Sequence, residues 1–598
     1  MAKDSIDEKK QSDSDEGTQA EAENSDVEAI SIATVGTATT EQGPAIAPTI
    51  EVVERLPEAG KPGGGREIVQ SATFVMLGNL SSSIMGFVRQ SAVAAIGPQI
   101  SSSFFAALLP AQTFNDFLVN GSVSGALIPT FNDYSASEKR EELRRLVFTI
   151  VNLIVLIVLI AAVSFFFIAP WFAPAVLASN FSAADKVLVI QFAQIIFFSL
   201  LILCPFAVLQ AALYALKEFG WAAFAATAYH VGIIIGVVVS ILLGSYLFGH
   251  LGLAFGVILG ALGEIGLLMP GIRRQKLRYM FVLDLKHPAL LRILKLYGPV
   301  ALSFLVSMGL VFLDQHLASS TPCVTAVQGV KDCAEANVTA LRLATTLTQF
   351  PVGLVAAALA FAVLPTLTAH VREGNTEQFK DTLLLGVRLG LLLMVPAAAG
   401  LIILRGPIVE LLFQHGKHTP QDAALTAIAL QNYAYQLPFI ALDQLCINAF
   451  YARKNTITPV VVGFVCILGY LAVALPFWNT GIGMPALAFA NAVQNSLHGI
   501  ILLVLLRMAI GPMHIRKTLP TVLKILLAAA IMVAVAWGLQ IVLGHISLFS
   551  LTRLVGQLLT VVVAGGLAAG VYFAALLLLN VEEVSLLKGA VLAKLGKK

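Results

Sequence analysis

Six ionisable side chains stand inside long apolar runs: Arg89, Asp116, Glu264, Asp314, Arg342 and Asp443. An unanswered charge at a bilayer centre costs roughly 2.5–3.5 kcal/mol on insertion scales, so such residues turn toward a cavity or toward one another. Two of the six are arginines. A guanidinium presents a planar fork of N–H donors that fits phosphate or pyrophosphate oxygens two at a time. Arg89 and Arg342 facing one cavity would suit that ligand, with Ser83, Gln90, Asp116, Asn120, Thr346 and Gln349 as polar lining. For each ionisable residue, pairing within the protein is the competing reading.

Parts for covalent chemistry are missing from the sequence. It contains no P-loop, no nucleophile elbow and no His-Glu-x-x-His, so it reads as a transporter rather than an enzyme. His230, His316 and His498 fall on different apolar stretches and read as packed or boundary histidines rather than metal ligands. No cofactor is expected. The driving force is then a sodium or proton gradient, the membrane potential or the substrate gradient.

These side chains need a membrane-spanning frame. Hydrophobic residues make up 57% of the chain and charged residues 12%, which excludes an ordinary soluble domain. Lys and Arg come in short clusters between apolar runs, so no nucleic-acid footprint is present. An all-α polytopic protein is predicted, with about fourteen spans near 68–95, 101–129, 143–170, 186–214, 221–243, 246–270, 292–318, 336–367, 380–404, 423–450, 458–476, 483–507, 519–543 and 552–580. Every second loop is basic, as at Lys139-Arg140, Arg273-Arg274, Arg453-Lys454 and Arg516-Lys517. That pattern places both termini in the cytoplasm. Cys323 and Cys333 then share an outer loop, where a disulfide is permitted.

The chain also repeats itself. Ala126-Leu127-Ile128-Pro129-Thr130 is answered by Ala362-Val363-Leu364-Pro365-Thr366, and Leu213-Tyr214-Ala215-Leu216-Lys217 by Phe450-Tyr451-Ala452-Arg453-Lys454, at nearly the same interval. Two six-helix lobes are therefore expected, over 68–270 and 271–507, with two further spans in 508–598. Duplicated halves are common in secondary transporters, whose substrate site lies between the repeats. Residues 1–67, acidic and rich in Ser, Thr, Ala and Gly, read as a disordered cytoplasmic tail.

The runs GFVRQSAVAAIG, GSVSGALIPTF, FLDQHLASSTP, NVTALRLATTLTQFPVGLVAAALAFAVLPTLT and FYARKNTITPV together resemble the lipid II flippase family MurJ, also called MviN. That family is a branch of the multidrug/oligosaccharidyl-lipid/polysaccharide exporter superfamily. The resemblance implies a pair of lobes that opens alternately to each side of the bacterial cytoplasmic membrane. It also implies transport of lipid-linked peptidoglycan precursor outward for cell-wall synthesis, with membrane lipids and cell-wall synthesis proteins as partners. The family pattern in span one is Ser-Arg-x-x-Gly-x-x-Arg-Asp/Glu. Here Ser82-Ser83-Ile84-Met85-Gly86-Phe87-Val88-Arg89-Gln90 keeps only the second arginine, and the family arginine of span eight falls on Thr346. Arg342, one helical turn before Thr346, is expected to replace it. Asp314 matches a family acid, for which the resemblance implies a contribution to sodium binding. The thinned arginine cluster leaves two alternatives: a flippase for another polyprenyl-linked glycan or amphiphile, and a non-transporting scaffold for cell-wall enzymes.

Overall fold

The computed structural model describes residues 64–120, 127–243, 249–513, 515–546 and 554–584. The acidic tail expected over 1–67 lies outside them up to residue 63, so nothing is added to that expectation.

All regular structure among the described residues is helical. The first half contains α1 (Gly64–Ala94), α2 (Pro98–Asn115), α3 (Ile128–Asp133), α4 (Arg140–Phe172), α5 (Ala183–Phe198), α6 (Leu200–Ala215), α7 (Ala225–Leu243) and α8 (Gly252–Arg274). The second contains α9 (Pro288–Ser320), α10 (Cys333–Pro351), α11 (Ala357–Arg372), α12 (Thr376–Ile403), α13 (Arg405–Phe413), α14 (Pro420–Ala434), α15 (Leu437–Ala452), α16 (Ile457–Phe477) and α17 (Gly483–Ile510). Helices α18 (Ile515–Gly544) and α19 (Leu554–Leu578) complete the chain. A helix occupies each expected stretch. Nine helical stretches among the described residues are long and apolar enough to cross a bilayer on that criterion alone. Helix α10 is not among them, because it buries Glu335, Asn337, Thr339, Thr345 and Thr348 against protein rather than lipid.

Local chemistry explains where the helices begin and bend. Ser182, Asn375 and Thr419 each accept a hydrogen bond from a backbone N–H three residues on, at 3.1, 3.1 and 3.3 Å, which satisfies donors that a helix start leaves open. Gly97, at φ 106°, supplies the turn between α1 and α2, and Pro98 follows at the first helical position.

The duplication is visible in the backbone. A π-helical turn follows α2 at Asp116–Asn120, and another follows α10 at Val352–Ala356. Asp116 and Val352 are separated by the same interval as Ala126 and Ala362. Helices α6 and α15 end alike too. Lys217 and Lys454 adopt left-handed φ of 60° and 59°, and the next residues, Glu218 and Asn455, donate their N–H to Leu213 and Phe450 carbonyls at 2.9 and 3.0 Å. Packing follows the same scheme: α7 lies on α8 as α16 lies on α17, and α2 on α5 as α10 on α14.

Close approach in the first half depends on glycine. A Cβ on Gly232 would lie 2.2 Å from the Gly260 nitrogen, and one on Gly256 would lie 2.8 Å from the Gly236 Cα. Small residues at four-residue spacing let α7 and α8 pack backbone to backbone, a common basis for association inside a membrane. The last two helices are held on α12 by polar contacts: Tyr572 donates to the Leu392 carbonyl at 2.8 Å, Gln540 to the Ile403 carbonyl at 3.0 Å, and Arg388 pairs with Glu583 at 2.5 Å.

Gly236→Val and Gly256→Val therefore force α7 and α8 apart and are expected to cost at least the roughly 1–3 kcal/mol typical of overpacking. Gly266→Val, where an added Cβ meets nothing within 4 Å, is expected to change stability little. Thermal unfolding of the purified protein in detergent reads the difference.

Candidate functional site

Helix α10 is enclosed on every side but one. From Ala334 to Gln349 only Arg342, Thr346 and Gln349 are partly exposed, a spacing that places them on a single face. Helix α2 shows the matching pattern. From Ile100 to Thr113 only Gln112 is partly exposed, and Asn115 and Asp116 continue that strip into the π turn. The two strips meet across the halves, where Arg342 Nη2 donates to Gln112 Oε1 at 3.0 Å.

Behind Arg342 lies a buried polar cluster. The Tyr470 hydroxyl, from α16, donates to the Asp314 carboxylate, from α9. Arg342 interacts electrostatically with Asp314 and with Tyr433 of α14. One guanidinium is thus held by an acid on its own half while reaching to an amide on the other. A hard cation needs a shell of oxygen ligands. At Asp314 the guanidinium already supplies the positive charge and the phenol takes the carboxylate oxygen, so these residues do not fit a sodium site. No cluster of three His, Cys, Asp or Glu able to hold a metal occurs among the described residues.

The remaining expected residues are distributed more widely. Arg89 is buried, interacting electrostatically with His230 on α7, against which α1 packs closely at Gly86. Ser83 is exposed and donates to the Asn79 carbonyl at 2.9 Å. Gln90 is buried, and neither end of its amide has a hydrogen-bond partner. Asn120 closes the first π turn, and its side chain lies outside the described residues. Glu264 is buried on α8 with both carboxyl oxygens lacking a hydrogen bond. Asp443, for which pairing within the protein was one of the two readings, contacts His498 at 2.6 Å. Tyr433 and Tyr470 were missed at the sequence level, since an aromatic residue in an apolar run reads as packing.

Cys323 and Cys333 are joined by a disulfide, with Cα atoms 4.9 Å apart. Near that loop the two halves are fastened together. Gln99 donates to Asp332 at 2.6 Å, Thr339 to the Pro98 carbonyl at 3.1 Å, Ser91 to the Leu412 carbonyl at 2.5 Å, and the Lys417 N–H to the Ala95 carbonyl at 2.9 Å. The Ser182 N–H reaches Glu335 Oε1 at 2.8 Å. At the opposite, basic end the bonds between the halves come from the segment before α9 and from α9 itself: Asn152 donates to the Met280 and Val282 carbonyls at 3.1 and 2.9 Å, and Arg292 pairs with Asp133 at 3.2 Å. The strip on α10 is therefore closed off from the disulfide side.

Burial raises the Glu335 carboxyl above the usual carboxylate range; the Ser182 N–H opposes this, and Asp185 and Asp332 add to it. Protonation thus favours the closed arrangement, and that contribution is lost as pH rises through the raised value. Spin labels at Ala184 and Lys331 are expected to separate more often in the wild type as pH rises through the raised Glu335 value. Glu335→Gln should remove the dependence.

A family profile described as "Lipid II flippase MurJ" matches residues 93–577. A probable lipid II flippase MurJ of Bdellovibrio bacteriovorus is 26% identical over 532 residues, covering 87% of this chain and 96% of the relative. A Vibrio cholerae protein of the same description is 27% identical over 543 residues, covering 86% and 97%. Among solved structures, lipid II flippase MurJ in an inward closed conformation aligns with TM-score 0.65 at 21% identity over 84% of this chain and 99% of that one. An inward-facing multidrug resistance transporter of the MATE family aligns with TM-score 0.59 at 15% identity over 72% and 94%. At such identities the structural likenesses establish the fold alone, the one shared with these two transporters. With its profile matched over most of its length, this chain belongs to the MurJ family of lipid II flippases.

Proposed function

We propose that this protein moves lipid II, the lipid-linked peptidoglycan precursor, across the cytoplasmic membrane by alternating access, with Arg342 contacting the pyrophosphate. The observation carrying this reading is the Arg342, Thr346 and Gln349 strip, which faces Gln112 and Asp116 across the two halves of a MurJ family member. A phosphate ligand that displaces Gln112 gives the Arg342 guanidinium an anionic acceptor in place of a neutral one. Arg89 serves the same ligand from the first half, entering the cavity when α1 shifts relative to His230.

In this proposal the lobes are 68–270 and 271–507, and 508–598 adds the last two spans. The basic loops and both termini face the cytoplasm, and the disulfide loop faces outward. The described closure then leaves the cavity addressed from the cytoplasm, where the precursor is made. The work is supplied by the membrane potential or an ion gradient, because the sequence carries no nucleotide-binding loop. Lipid-linked glycan, membrane lipids and cell-wall synthesis proteins are the partners.

Complementation of a strain depleted of its lipid II flippase tests the reading. The wild type is expected to restore growth, Arg342→Ala and Arg89→Ala to fail at matched expression, and Arg342→Lys to restore it partially because lysine keeps charge but not the fork. Failure of a correctly inserted wild type would indicate a different amphiphile. Full rescue by Arg342→Ala would move the pyrophosphate elsewhere.

A further inference from the structure

The contact between Asp443 and His498 cannot be made without an additional proton. His498, on α17, places Nε2 3.0 Å from the Pro459 carbonyl at the start of α16 and Nδ1 2.6 Å from Asp443 Oδ1 on α15. A carbonyl can only accept, so Nε2 carries a hydrogen. A neutral ring of that tautomer facing an ionised carboxylate would set lone pair against lone pair at 2.6 Å. A second proton therefore lies between Nδ1 and Oδ1, on one atom or the other. Asp443 and His498 are 8% and 5% exposed, so water does not substitute for it.

We propose that Asp443 and His498 form a proton-binding site in the second half of the protein, whose occupancy ties α15, α16 and α17 together. The ligand is a proton exchanged with the aqueous phase, and no reading of the transported lipid is needed for the site to exist. When the proton leaves, the ring and carboxylate repel and the tie between α15 and α17 at this point is lost, while Nε2–H still holds the Pro459 carbonyl and Asn495 still donates to Gln436, just before α15, at 2.6 Å.

The surroundings leave these two residues to govern the titration. The titratable groups that feel Asp443 are Tyr451 and Cys446 on its own helix and Cys466 on α16. Helix α12 presents Gly386 and Gly390, and α11 presents Val363 and Leu359, to the Leu445 and Ala441 side of α15. Lys380 and Arg388 on α12 are engaged elsewhere, with Glu377 and Glu583. Gly499 lies directly against Asp443, and Gly463 against His498, which leaves room for the pair.

The test uses the purified full chain and a substitution that imitates the loaded state. In Asp443→Asn the amide N–H donates to Nδ1 of a neutral ring while Nε2–H still reaches Pro459, so all bonds form without the extra proton. The melting temperature of the wild type is expected to fall from pH 6 to pH 10 by several degrees more than that of Asp443→Asn. Asp443→Ala, which leaves Nδ1 unanswered, should be less stable throughout. His498→Gln removes the titrating ring and should flatten the profile independently. In the wild type, 15N-labelled histidine should show one ring, absent from His498→Gln, with both nitrogens protonated or sharing a proton at pH 8. Parallel profiles for wild type and Asp443→Asn, or a His498 ring whose Nδ1 neither carries nor accepts a proton, overturn the proposal.

Discussion

Hydrocarbon solvates neither charge nor backbone polarity, so every intramembrane polar group must be answered by protein or by water in a cavity. Much of this structure follows from that constraint. Asp314 is answered by Tyr470 and Arg342, Asp443 by His498, and Glu583 by Arg388. Each contact joins elements distant in the chain, so answering a charge also decides which helices lie together. The Arg342 strip and its counterpart on α2 are an exception: partly exposed polar faces in otherwise enclosed helices, meeting across the halves. That exception is what makes them a site rather than packing.

The duplication gives the constraint its geometry. Each half contains a helix that runs regularly and then loosens into a π turn at the equivalent position. π turns release a backbone hydrogen bond and recur at functional sites. In the second half, Pro351 explains the break, because proline lacks the N–H and crowds the preceding turn. In the first half the turn begins at Asp116 without a proline there, so its cause is different. The repeat preserves the position of the irregularity more faithfully than the residue that produces it.

The sequence carried the fold because apolar length, basic loops and the pentapeptide match all report on the same helices. The Leu213 and Phe450 runs announced the repeat but not the left-handed ends at Lys217 and Lys454. The site was less legible. Periodicity put Arg342 and Thr346 on one face, since they share a helix, and the structure adds Gln349 to it. It could not pair Asp443 with His498, or Asp314 with Tyr470, because those partners meet through tertiary packing of separate spans. Span eleven lacks acids and amides, but the phenol of Tyr470 supplies the missing polar group. Arg89 shows the opposite limit: a charge within a span signals a polar contact without revealing whether a cavity or a neighbouring helix provides it.

Alternating access requires that the closure near the disulfide be breakable, and its construction suits that need. Beside an apolar contact in which Phe87 meets Phe413 and Val93 and Ile100 share a core with Ala336 and Ala340, the ties there are single hydrogen bonds from Gln99, Thr339, Ser91 and Ser182. Each is worth only about 0.5–1.5 kcal/mol net, and water can replace it when the halves part. The ties within the membrane are different, because neither Asp314 nor Asp443 can exchange its partner for solvent without a large penalty. Parting of the rim and of the Arg342–Gln112 contact therefore leaves these intramembrane pairs in place. Helix α9 contacts both halves, through the Ala173–Leu177 turn on one side and α10 and α17 on the other. It is the element whose packing must change when the rim opens, and Asp314 on that helix links this change to the arginine that faces the cavity.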